Sequence, residues 1–83
     1  MAAPVEVRSA AQLRAVTPSD TVNLPDGVCR ALWVGGAGNI AILVEEDSTA
    51  VTLSGVAAGT VVPVRARRVN STNTTATLIV ALY

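Results

Sequence analysis

Short apolar runs alternate along this chain with polar turns rich in Gly, Pro or Asn, and no segment sustains the 3.6-residue apolar period of a helix. Leu13 to Val16 reads as a short strand. Two turns follow, Thr17 to Asp20 and Asn23 to Gly27, in which Pro presets φ and Ser, Asp and Asn side chains can bond nearby backbone. Val28 to Val34 is apolar on both faces apart from Arg30, the pattern of a central strand or one covered on both sides. Gly35 to Asn39 turns the chain back, and Ile40 to Val44 is expected as the hairpin partner. After an acidic turn, Glu45 to Ser48, Val51 and Leu53 alternate with Thr49, Thr52 and Ser54 as in a half-buried strand. Gly55 to Gly59 leads into Thr60 to Val69, the longest expected strand, and Ala76 to Tyr83 is expected to pair with it across the polar turn Asn70 to Thr75. Six short strands at intervals of about ten residues predict an all-β domain, a single small antiparallel β-barrel or sandwich.

The final strand is the most informative. It runs to the last residue with no tail, and both Leu78, Val80, Leu82 and Ile79, Ala81, Tyr83 are apolar sets, one on each face. An exposed apolar edge invites aggregation, so this strand has to be paired. Its two faces are expected to be covered by the core and by a second subunit. At the other end, Met1 to Ala11 carries scattered charges, a Pro and little periodicity, and reads as an arm preceding a single β domain over residues 12–83. The arm is expected to lie on a neighbour.

Length sharpens the question of partners. A domain of 83 residues buries only roughly 60–65% of its unfolded surface, and such domains commonly add disulfides, a metal or an oligomeric partner. Cys29 is alone and there is no His, which excludes an intrachain disulfide and argues against zinc. Oligomerisation remains. Hydrophobic residues make up 51% of the chain and charged residues 14%, few charges with which to coat a free surface. No run approaches a transmembrane helix and no signal peptide is recognisable, so a soluble, intracellularly made protein is expected. The formal net charge of zero gives no electrostatic footprint for nucleic acid or an anionic membrane. Every basic residue is Arg, the residue preferred at interfaces, although a GC-rich genome also favours Arg codons.

The candidate chemistry is sparse. Gly36 to Ala41 formally matches a dinucleotide fingerprint, but β-branched Ile40-Ala-Ile-Leu-Val44 follows where a helix must start. Glu45, Glu46 and Asp47 sit too close in sequence to converge on one cation and read as a solvated tip. Asn70-Ser-Thr72 and Asn73-Thr-Thr75 fit the glycosylation sequon, but such residues are what a turn contains. Cys29, without His or Lys to activate it, reads as a small buried hydrophobe. Catalysis has almost no players, and no enzyme, cofactor or metal is expected. Arg65 and Arg67, on one face of the expected strand, would stand about 7 Å apart, with Arg68 on the other face. Solvated arginines and pairing with acidic groups of another subunit are both open. A nucleic-acid barrel would combine a basic groove with aromatic platforms, yet Trp33 and Tyr83 are the only aromatics.

Arg30-Ala-Leu-Trp-Val-Gly-Gly-Ala-Gly-Asn39, Val56-Ala-Ala-Gly-Thr-Val-Val-Pro-Val-Arg65, Arg68-Val69 and Thr74-Thr-Ala-Thr-Leu-Ile-Val-Ala-Leu-Tyr83 together resemble the small spike-base or head-decoration proteins of tailed phages and of gene transfer agents of α-proteobacteria. The resemblance covers residues 13 to 83. It differs at the shortened arm and at the acidic turn, leaving three-fold cement and five-fold spike base both open. It implies a virion protein of the outer capsid surface, made in the host bacterial cytoplasm, with no catalytic residues. Its implied partners are the major capsid protein, further copies of itself as a trimer or pentamer, and a spike fibre protein. Arg65, Arg67, Arg68, Trp33, Leu82 and Tyr83 are the candidate interface residues. A free-standing barrel module, for single-stranded nucleic acid, is the alternative class.

Overall fold

The computed structural model describes residues 9–83, and Met1–Arg8, most of the expected arm, lies outside them. Seven strands form: β1 (Leu13–Ala15), β2 (Ala31–Gly36), β3 (Gly38–Val44), β4 (Val51–Val56), β5 (Thr60–Val62), β6 (Ala66–Asn70) and β7 (Thr77–Leu82). They make two antiparallel sheets, a four-stranded one in the order β1-β7-β2-β5 and a three-stranded one in the order β4-β3-β6. The all-β expectation holds, and of its two forms the open sandwich is the one adopted.

Two expected pairings are corrected. β2 and β3 are not a hairpin: β2 pairs with β5 and β7 in the first sheet, β3 with β4 and β6 in the second. The glycines between them carry the chain from one sheet to the other through a space that excludes side chains. A Cβ on Gly36 would collide with the Thr77 side chain, and one on Gly38 would stand 2.6 Å from Ala76 N and 2.8 Å from the Thr75 carbonyl carbon. Gly38 also has φ of +154°. Asn39 fastens the corner. Its carbonyl accepts from Thr75 N–H and Ala76 N–H, each at 2.9 Å, its own N–H donates to Thr75 Oγ1 at 2.8 Å, and its Oδ1 accepts from Gly55 N–H at 3.0 Å.

The second correction concerns the long strand expected from Thr60 to Val69. It is broken at Pro63 into β5 and β6, which belong to different sheets, so β7 pairs with β1 and β2 instead of β6. Pro has no N–H to give a ladder, and Val64 N–H turns back to Val62 O at 2.9 Å. Arg65 falls in the break, so it does not share a strand face with Arg67. Along β6 the register shifts opposite Leu43 and Val44, a bulge that lets Ala66 and Val69 both reach the core although three residues apart.

The core fills the space between the sheets. Cys29, Leu32, Val34, Val62, Ile79 and Ala81 from the first sheet side meet Ile40, Ile42, Ala66 and Val69 from the second, all at most 8% exposed. Cys29 is the small buried residue expected, its thiol pKa pushed up by burial. Asp20 adds a polar brace outside the core, accepting from Thr72 N–H at 2.9 Å and from the Thr72 hydroxyl.

Gly38→Ala should lower stability by about 1–3 kcal/mol, the cost of a strained backbone position; a urea melt unchanged within error would show that the crossing tolerates a side chain. Hydrogen bonds from Thr72 hold the Asp20 carboxyl below its ordinary range. Because the folded-state value is depressed, the brace is present above the unfolded carboxyl pKa and lost as pH falls through the folded one. The native chain's advantage over Asp20→Ala should therefore shrink when unfolding is followed from about pH 6 down to about pH 2.

Candidate protein interface

The outer face of the four-stranded sheet is apolar across its width. Directly opposed residues share a face, which aligns Leu13 with Leu82 and Ala31 in one row, and Ala15 with Val80, Trp33 and Val61 in the next. Trp33 is 40% exposed, Val61 41%, Leu13 62% and Leu78 77%. Nothing in the described chain covers them. The Trp33 ring lies over Gly59, where a Cβ would stand 3.7 Å from the ring edge. A Cβ on Gly35 would stand 2.8 Å from that of Leu78, so Leu78 leans over the same face beside the indole.

Leu78 is also the strained residue of this surface. Its φ is +54°, a left-handed conformation that costs an L-residue with a Cβ roughly 1–2 kcal/mol. A leucine held there and left in water gains nothing for the isolated domain. Strain of this kind collects at functional sites, and here it thrusts an apolar side chain outward from a central strand.

The six residues singled out from the sequence divide among three places. Trp33 and Leu82 belong to the apolar face. Tyr83 does not: its ring packs against the core, its hydroxyl donates to Gly27 O at 2.8 Å, and burial raises its pKa. It lines a shallow recess with Arg30 and Arg65. The arginines are engaged within the chain, since Arg65 pairs with Glu45 at 2.7 Å, Arg67 Nη2 donates to Asp47 O at 2.8 Å and Arg68 Nε to Asn70 Oδ1 at 2.8 Å. The acidic turn, read as a solvated tip, is thus where Arg65 and Arg67 fasten. The exposed Arg65–Glu45 pair is worth at most about 1 kcal/mol.

Leu13, Val61, Leu78 and Val80 complete the face, and of these Leu13 and Val61 escaped the sequence reading. Alternation in β7 pointed to Leu78 and Val80, but joining Leu13 and Val61 to them requires the pairing of β1 and β5 around β7 and β2. Among the described residues no three Cys, Asp or Glu side chains gather where they could hold a metal ion.

These features define a small antiparallel β-sandwich that presents an uncovered apolar sheet face. One chain of a solved structure described as the capsid of a native GTA (gene transfer agent) particle computed with C5 symmetry is 38% identical, with a TM-score of 0.78, over 89% of this chain and 83% of that one. No protein-family model matches, and no curated protein does. At that identity and coverage the chain belongs to the family of this GTA capsid-particle protein, and it is a capsid-related structural protein.

Leu78→Gly removes the strained side chain, so the isolated domain should be unchanged or up to about 1 kcal/mol more stable. A loss of more than about 1 kcal/mol in a denaturant melt would mean that Leu78 serves the fold itself.

Proposed function

We propose that this protein is an accessory subunit of the outer capsid surface, a cement or head-spike base protein that binds the major capsid protein and associates with copies of itself as a trimer or pentamer. The observation that carries the proposal is the uncovered face around Trp33 in a chain related to a GTA capsid particle. A domain this small cannot leave so much apolar surface wet without cost, and aromatic residues are the usual anchors of protein interfaces. Its work is structural, with Trp33, Leu78, Val80 and Leu82 as the apolar anchor. Arg65 and Arg68 are proposed as separate polar contacts to a neighbouring subunit, Arg67 and Tyr83 as their support. A spike fibre would attach to the same assembly.

The single-stranded nucleic-acid alternative is weakened by placement. Trp33 stands on one sheet and Arg67 and Arg68 on the other, so these residues do not form a basic groove floored by an aromatic platform.

Trp33→Lys should keep the fold, because the ring is on the outer face, and should weaken attachment to capsids by about 2 kcal/mol or more, the scale of an interface hot spot. Cosedimentation with particles lacking this subunit measures it, and native mass of the free chain gives the copy number. Undiminished attachment of the lysine variant would remove the Trp33 face from the proposal.

A further inference from the structure

The two sheets have four edge strands, and three of them are protected. β1 is three residues long and carries Arg14, opposite core residue Ala81, reaching to Asp26 at 3.2 Å. β5 is three residues long and ends at Pro63. The β6 edge is taken by the loop before β2, where Ser19 N–H donates to Val69 O and Leu24 N–H to Arg67 O, both at 2.8 Å. Short length, inward charge, proline and a covering loop are the devices by which proteins close sheet edges.

β4 has none of these four, and only a bulge near Gly55, at its C-terminal end, interrupts its pairing with β3. It is six residues long, pairs only with β3, and lies in a stretch from Ser48 to Val64 without a single charge. Its core-facing residues are open as well. Val51 and Leu53 stand opposite Ile42 and Ile40, both buried, yet are themselves 56% and 37% exposed. The half-buried strand expected from the alternation is therefore an overhang, with an apolar side and a polar side of Thr52 and Ser54.

We propose that β4 accepts the N-terminal segment of a second copy of this chain as an added antiparallel or parallel strand. The segment outside the described residues contains Val5-Glu6-Val7-Arg8. That alternation is too short to signify by itself, but it matches β4 on both faces: Val5 and Val7, two residues apart, cover Val51 and Leu53, while Glu6 and Arg8 continue the polar face of Thr52 and Ser54. The addition gives each sheet four strands. It also supplies a contact between copies, and because donor and acceptor surfaces differ, the contact is head-to-tail and can close a ring. This inference does not depend on the Trp33 face.

Amide hydrogen exchange on the full chain tests it. The β4 amides turned away from β3 should be protected at least about tenfold at high protein concentration, lose that protection on dilution, and lose it in the Val5→Ser/Val7→Ser variant. Protection that is absent, or retained in that variant, overturns the proposal; protection independent of concentration places the segment on its own chain and overturns the exchange. A second measurement uses a Cys29→Ser background, mixing chains that carry Val7→Cys with chains that carry Val51→Cys. Preferential formation of the mixed disulfide is expected, and a statistical mixture of dimers counts against it. If these fail while capsid attachment still depends on Trp33, only the strand exchange is lost.

Discussion

The close passage of Gly36, Ala37 and Gly38 against Thr75 to Thr77 is the constraint on which this domain turns. A chain with no helix among its described residues and a single cysteine has to close its core with strands alone. It does so by carrying the chain between the two sheets four times, and the first crossing, from β2 to β3, succeeds because Gly36 and Gly38 put no side chain against Thr75 to Thr77 and Asn39 satisfies the backbone there with four hydrogen bonds. Pro63 imposes the third, from β5 to β6, by ending β5. Once the crossings are made, Leu32, Val34, Ile40, Ile42 and Val69 come face to face in one apolar interior.

The same solution leaves surface uncovered. Two thin sheets enclose one core, and part of the outer surface, the face around Trp33 above all, has only solvent or partners to meet. In the four-stranded sheet that outer face is apolar, and Leu78 holds a strained conformation that adds to its exposure. The three-stranded sheet leaves β4 projecting past its neighbour. Both features are expensive for an isolated domain, whose total stability is only about 5–15 kcal/mol. They make physical sense in a subunit of a particle, the setting in which its 38% identical relative is found.

Charge is used sparingly and locally. Arg65 and Arg67 fasten the acidic β3–β4 turn, Arg14 reaches Asp26 at a sheet edge, and Arg68 bonds Asn70 on its own strand. These exposed contacts position loops and guard edges more than they stabilise the fold. The Trp33 face and β4 are among the surfaces that carry no charge.

Alternation and turn chemistry determined, from the sequence alone, that the domain is all-β, where most strands lie, that Cys29 is core, and that the final strand is paired. They could not determine which strands are partners. Gly35 to Asn39 and the segment around Pro63 read locally as a hairpin turn and a strand interior, because sheet switching depends on what the backbone packs against, here Thr75 to Thr77. From those pairings follow the placement of Arg65 away from Arg67, the union of Leu13, Val61 and Trp33 on one face, and the overhang of Val51 and Leu53. Each joins residues distant in the chain. The left-handed Leu78 belongs with them: a leucine in a β pattern predicts extended backbone, and only the tertiary fit of β7 against Gly35 holds it otherwise.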